Sequence, residues 1–224
     1  MRADLLALAD ARFPGGGHAH SGGVEEAIAR GIVSTVDDLR KFLRGRLRVA
    51  GELQAVFAAA AAHSAVRGVP TEHWTTLDAE YDARTPSVAQ RESSRAQGGA
   101  TLRAGKVAWP SPALDQLAAA HPRPHHPIVL GVLLPDPQEA ALAAAYLAVS
   151  GPSSGGVRLL GLDPIAVNAA VAALGPEVEH LAGHAARHAG ADPADLPAPA
   201  GPGLDLLAEE HDRHHREEGR LFAS

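Results

Sequence analysis

Thirteen histidines, no cysteine and one glycine-rich segment carry whatever chemistry this chain could perform. The segment runs from Asp10 to Glu25. It holds Pro14, Gly15, Gly16, Gly17, His18, His20, Ser21, Gly22 and Gly23 between two stretches that read as helix. Glycine lacks a Cβ and tolerates positive φ, so such a cluster lets the backbone turn sharply or approach another surface closely. A turn of this kind that opens a helix at Ser21–Glu25 could be a phosphate loop, a nucleophile turn or a metal loop. A phosphate loop needs Gly-x4-Gly-Lys-Ser/Thr. The nearest approach, Gly99 to Gly105-Lys106, has five intervening residues and places Val107 where the hydroxyl belongs. A nucleophile turn Gly-x-Ser-x-Gly would centre on Ser21, but Ala19 replaces its first glycine and no parallel sheet is indicated to strain it.

The histidines are the stronger candidates. His180, His184 and His188 fall at four-residue steps, hence on one helix face, with Glu177 near them. His18 and His20 lie in the glycine segment, His121, His125 and His126 in a proline-rich stretch, and His211, His214 and His215 near the C-terminus. Imidazole suits nickel, copper and zinc. A closed site needs converging ligands, however, and spacing alone shows no convergence. The stripe at 180, 184 and 188 therefore reads first as a solvated or partner-facing surface, with a weak or transit-type metal contact as the other reading. For His18 and His20 a hydrogen-bonding role inside the turn is the first reading. No two carboxylates stand as an evident acid/base pair, and the missing cysteines exclude disulfides, Fe–S clusters and thiolate zinc sites. Residues of these types favour a binding or assembly role over catalysis.

The elements that must position these groups are helical. The chain has 224 residues, 46% hydrophobic and only 4% aromatic, so one core must be built from Ala, Leu and Val. Ala and Leu are strong helix formers. A net charge of −6 argues against nucleic acid. The longest apolar run, residues 140–149, is far short of the ~20 residues a membrane span needs. With no export signal in view, a cytoplasmic location is expected.

Residues 2–9 and about 24–30 read as short helices. Ser34 and Thr35 then offer caps with Asp37 and Asp38 in the first turn. From there Leu39, Phe42, Leu43, Leu47, Leu53, Val56, Phe57 and Ala60 recur at three- and four-residue steps, predicting one long helix to about Val66 with weak points at Gly45 and Gly51. Pro70, Pro86, Pro137, Pro164 and Pro176 mark helix starts, and Asp136 to Glu139 has the form of a capping box. A short helix is expected at Ala113–Ala120, and 126–134 reads better as a buried helix than as a strand. The expectation is an all-α multi-helix bundle: a helical domain over 1–189, a flexible Pro/Gly linker over 190–203, and a C-terminal tail over 204–224.

Three motifs give the chain a resemblance to the F-type urease accessory proteins, the UreF family. That family's N-terminal pattern is matched by Asp10, Pro14, Gly16, Gly17, His20, Ser21, Gly23, Val24 and Glu25, while His18 departs from its usual aromatic. Tyr146 and Val157-Arg158-Leu159 match a later helical segment. Arg220-Leu221-Phe222-Ala223-Ser224 matches the family's ending, with His211-Asp212 or His214-His215 near its usual His-Glu pair. The family's Pro-Leu-Gly-Gln is replaced here by Gly161-Leu162-Asp163-Pro164.

The resemblance implies a non-enzymatic homodimer with no cofactor of its own, which bridges the D/H-type accessory protein and the nickel-carrying G-type GTPase. Nickel then passes through the assembly into apo-urease. Residue by residue, it implies that Tyr146 and Arg158 face the GTPase. His211, Arg220, Leu221 and Phe222 would face the D/H protein, with the tail folding as it binds. A histidine-based nickel-binding or storage protein, using His180, His184 and His188, is the alternative.

Overall fold

The long Ala-rich stretch after residue 52 sets the architecture, because small side chains let neighbouring helices come down to its backbone. The computed structural model describes residues 3–10, 12–15 and 21–221. In chain order the helices are α1 (Ala3–Ala9), α2 (Val24–Ala29), α3 (Val36–Arg46), α4 (Glu52–Arg67), α5 (Thr71–Ala83), α6 (Val88–Ala108) and α7 (Pro112–Ala120). There follow α8 (His126–Leu133), α9 (Pro137–Leu160), α10 (Pro164–Ala172), α11 (Gly175–Ala186) and α12 (Pro202–Leu221). No strand occurs among the described residues. The fold is all-α, and residues 126–133 form a helix buried on almost every side.

Helix α4 is the hub, packed by α8, α9, α11 and α5. Ala58 through Ala62 are all buried. A Cβ on Gly131 of α8 would lie 2.2 Å from the Ala58 carbonyl oxygen, so α8 crosses α4 at backbone contact. The same device recurs where α6 meets the start of α8: a Cβ on Gly98 would stand 1.9 Å from the Pro124 carbonyl oxygen. In α9, Gly155 and Gly156 make room for Val24 of α2 and Leu39 of α3. Dense packing of this kind replaces the bulk that aromatics would supply.

The expected long helix exists, with a twist at one of the points foreseen. Thr35 and Asp38 form a reciprocal capping box, with Asp38 N–H donating to Thr35 Oγ1 at 3.2 Å and Thr35 N–H to Asp38 Oδ2 at 3.1 Å. The helix then runs unbroken to Arg67 but loosens into a π-helical stretch at Leu47–Gly51. By length and composition Val36–Arg67 could cross a membrane, but 61% of its apolar window is buried inside the fold, as in a core helix. Asp136 accepts from the Glu139 N–H at 2.8 Å and Asp163 from those of Ile165 and Ala166, as their sequence patterns predict.

The stretches expected as linker and tail touch the helical body. Residues 190–203 are packed against the body: Pro193 and Leu196 are buried, and Pro193–Asp195 forms a 3-10 turn. Arg84, just after α5, lies 5.7 Å over the Phe57 ring and donates to the carbonyl oxygens of Ala194 and Leu196 at 2.8 and 3.1 Å. A proline-rich segment is short of N–H donors for its own carbonyls, and a guanidinium from elsewhere supplies them. Residues 204–221 likewise belong to a helix, α12, which begins at Pro202 and packs on α2 and α6.

Close packing at Gly131 has a direct consequence. Gly131→Ala should cost about 1–3 kcal/mol through overpacking. Gly45→Ala, on an exposed face of α3 with nothing near its Cβ, should stabilise by about 0.5–1 kcal/mol. Urea midpoints of the two variants should move in opposite directions; a shift of the same sign would reject the backbone-contact account.

Candidate functional site

A cavity of about 820 Å³ opens between the ends of α1, α3 and α5, the first half of α6, the middle of α9 and the first half of α12. It gathers residues from all three sequence motifs. Asp10, Ser21, Gly22 and Gly23 come from the glycine segment, Tyr146 from α9 and His211 from α12. The surfaces expected to face two different partners thus share one cavity. Tyr146, which as an apolar-helix tyrosine could equally be core, is 41% exposed.

The cavity is organised by Arg46, a residue the sequence reading did not single out. Pro152 lies inside α9 and has no N–H to give the carbonyl four residues earlier. That carbonyl belongs to Ala148, and Arg46 Nε donates to it at 3.0 Å. Arg46 Nη1 donates to the carbonyl oxygen of Gly22 at 2.8 Å. Gly22 has φ +62°, and a Cβ there would fall 2.7 Å from Pro152 and 2.9 Å from the Arg46 Cζ. The helix break, the left-handed turn and the guanidinium fit together only with glycine at 22.

Burial pulls the Arg46 pKa down to about 10, with the neighbouring Tyr81 opposing the shift. Tyr81 is itself buried, between Phe57 and His125, and burial pushes its phenol up to about 12. Both values leave the cation charged and the phenol neutral near pH 7.

Helix α12 forms one wall and is held mainly by polar contacts. Glu26 is 3% exposed and accepts from Arg30 Nε at 2.7 Å; its other oxygen lies 3.2 Å from His214 Nδ1. The Arg30 bond, against the effect of burial, keeps the Glu26 carboxyl below its usual pKa. Arg30 also reaches Glu210 at 3.2 Å, and His211 lies 3.8 Å from Glu25. Glu209 accepts from Ser87 Oγ and the Ala89 N–H at the start of α6, where the helix dipole favours a carboxylate. Leu207 adds an apolar contact beside Gly23 and Phe42. The i,i+4 pair Glu26/Arg30 was legible in the sequence, but nothing there marked Glu26 as buried.

Several expected site residues lie elsewhere. Pro14 is exposed. Gly16, Gly17, His18, His20 and Phe222 fall outside the described residues. Arg220 and Leu221 belong to the last turn of α12. Arg158 is exposed and takes no hydrogen-bond or ion-pair partner among the described residues. Twelve residues separate it from Tyr146 on α9, about 18 Å along the axis and about 120° around it, so the two face different directions.

Two groups could offer three metal-ligating atoms among the described residues: Glu26, Glu210 and His214, and Asp78, Asp82 and His125. Each already holds an arginine. Arg30 bridges Glu26 and Glu210, and Arg95 bonds Asp78 and Asp82 at 2.9 and 2.5 Å. A guanidinium there supplies the positive charge that a metal would bring. His180, His184 and His188 belong to neither group. His180 is exposed, α11 ends at Ala186 before His188, and the rings of His184 and His188 are 4.9 Å apart. The near phosphate loop is the interior of α6, with Lys106 paired to Asp115 at 2.7 Å.

Comparisons with known proteins place these motifs in one family. Residues 33–175 match the family described as UreF. A urease accessory protein UreF from Mycolicibacterium vanbaalenii is 42% identical over 228 aligned residues, covering 99% of this chain and 98% of that protein. A protein of the same name from Mycobacterium sp. (strain JLS) is 40% identical over 98% of this chain and 97% of its own length. One from Mycobacterium tuberculosis H37Rv is 39% identical over 95% of each.

The buried histidine beside Tyr81 makes stability pH-dependent. His125 is fully buried, and burial holds its pKa below the ordinary value. It is neutral in the fold while the unfolded chain takes up a proton near its ordinary pKa of about 6.5. Stability from this group is complete above that pH and declines as pH falls toward the folded pKa. His73, lowered by burial too, adds to the same trend. Urea midpoints should drop between pH 7.5 and pH 5.5, and His125→Gln should flatten the drop; an unchanged slope in that variant would exclude His125 as its source.

Proposed function

We propose how this chain, which belongs to the UreF family of urease accessory proteins, serves urease maturation: it is a non-enzymatic adaptor that bridges the D/H-type accessory protein and the G-type GTPase. Nickel is then the cargo of the assembly, delivered into apo-urease, and not a resident cofactor of this chain. The observation that carries the reading is the convergence of the glycine segment, Tyr146 and α12 on one cavity. A surface assembled from three distant stretches suits recognition of a partner. Tyr146 at the cavity and Arg158 on another side of α9 both serve the GTPase, while His211 and the end of α12 serve the D/H protein. The adaptor works in the cytoplasm.

A homodimer fits the outward face of α10. Val167, Ala170 and Val171 pack inward on α3 and α9. Ile165, 80% exposed, shares the outer side with Ala169, Ala172 and Ala173, and Asn168 is the one polar residue there. A face so poor in charge suits a second copy presenting the same small side chains.

Co-expression with the D/H and G partners should yield a ternary complex, and removal of residues 202–224 should abolish D/H capture while the far-UV spectrum stays helical. Capture that survives the deletion would refute the role of α12. The dimer is tested by light scattering: Ile165→Asp should convert a dimer to a folded monomer, and an unaltered mass would move the interface away from α10.

A further inference from the structure

Arg46 has one property that its structural role leaves unused. A guanidinium carries five N–H donors. Two are satisfied, by Ala148 and Gly22, and the remaining three meet no acceptor among the described residues. No carboxylate among the described residues bonds to it either. Asp10 is tied to Arg12 and Glu92 to Arg123. Residues 16–20, Gly-Gly-His-Ala-His, contribute no acid. Buried arginines are ordinarily paired, as Arg95 is here with two aspartates. Arg46, half-buried, has no such partner among the described residues, and it lines the cavity.

We propose that Arg46 and the cavity around it form a receptor for a carboxylate, the side chain of an aspartate or glutamate on a partner protein. The two carbonyl bonds fix the guanidinium in position, so its free donors are held in place before anything binds. Glycine at 22 leaves room for the group, since a Cβ there would fall 2.9 Å from Cζ. Tyr146 stands exposed at the same cavity, an amphipathic ring of the kind found at recognition sites. A cavity of about 820 Å³ is far larger than one small oxyanion needs and suits a side chain carried on a peptide segment. An entering carboxylate regains the pairing that burial denies the cation. The inference rests on the adaptor reading only for the source of the carboxylate; its chemistry rests on Arg46 alone.

The test uses the full chain and the Arg46 Nε–H signal in nitrogen-15 NMR. The probe is a blocked glutamate, N-acetyl-glutamic acid α-amide, compared with its glutamine counterpart, sodium phosphate and sodium chloride. Blocked glutamate should give a saturable shift, with the glutamine analogue on the order of tenfold weaker. Arg46→Lys should weaken binding and Arg46→Gln abolish it, followed through the Tyr146 ring signals. If Arg46→Gln does not fold, the comparison of glutamate with glutamine on the unaltered protein decides. No saturable shift, or equal shifts with chloride, would overturn the receptor. Tighter binding of phosphate than of glutamate would overturn the partner side chain as its occupant. Either failure leaves the adaptor reading standing on its own co-expression test.

Discussion

The bond from Arg46 to the Ala148 carbonyl is the contact on which the functional end of the molecule depends. Pro152 interrupts the hydrogen-bond ladder of α9 and leaves that carbonyl without its helical donor. Arg46, at the entry to the π-helical stretch of the long helix, fills the vacancy and takes the Gly22 carbonyl as well. One side chain thereby joins the middle of α3–α4, the middle of α9 and the turn before α2. The π stretch is part of the same arrangement, since it lets the helix depart from ideal winding where Arg46 leaves it. Because α12 lies on α2, the C-terminal wall of the cavity depends on this junction too.

Around the junction, the scarcity of aromatics is answered by proximity. Helix α8 meets α4 at Gly131, and α9 meets α2 and α3 at Gly155 and Gly156, at distances that admit no added methyl without a shift. Packing this tight is intolerant of change, which favours a rigid platform. Tyr81, which lines the cavity, meets Phe57 edge-on and lies tilted against His125. Rigidity there supports a recognition surface, because a preorganised site loses less on binding.

Charge is handled differently on the body and on α12. Asp78, Asp82, His125 and Arg95 form a network that runs from the buried Asp78 and His125 out to the surface, fixed from several elements. Helix α12 is held through Glu26, Arg30, Glu209, Glu210 and His214, with Leu207 as its apolar contact near α2. Ion pairs at partly exposed positions contribute little each. The attachment of α12 is thus weaker per residue than that of α9, which suits an element able to change its company when a partner arrives.

The sequence alone determined what depends on neighbours in the chain. The three- and four-residue apolar steps, the caps at Thr35, Asp136 and Asp163, and the missing cysteines settled an all-helical fold. The terminal motifs pointed to the family. The weak point at Gly51 was visible in the sequence, and so was the helical character of 126–133. Only the tertiary structure decided that residues 190–203 pack, that Glu26 is buried, and that Tyr146 and His211 share a cavity. It alone brought Arg46 into the account. The reason is physical: the Arg46 bonds join residues 24 and 102 positions apart, and Arg84 reaches 110 positions to Ala194. Hydrogen bonds across such separations leave no period in the sequence, and only the packed helices bring their donors to the carbonyls that lack one.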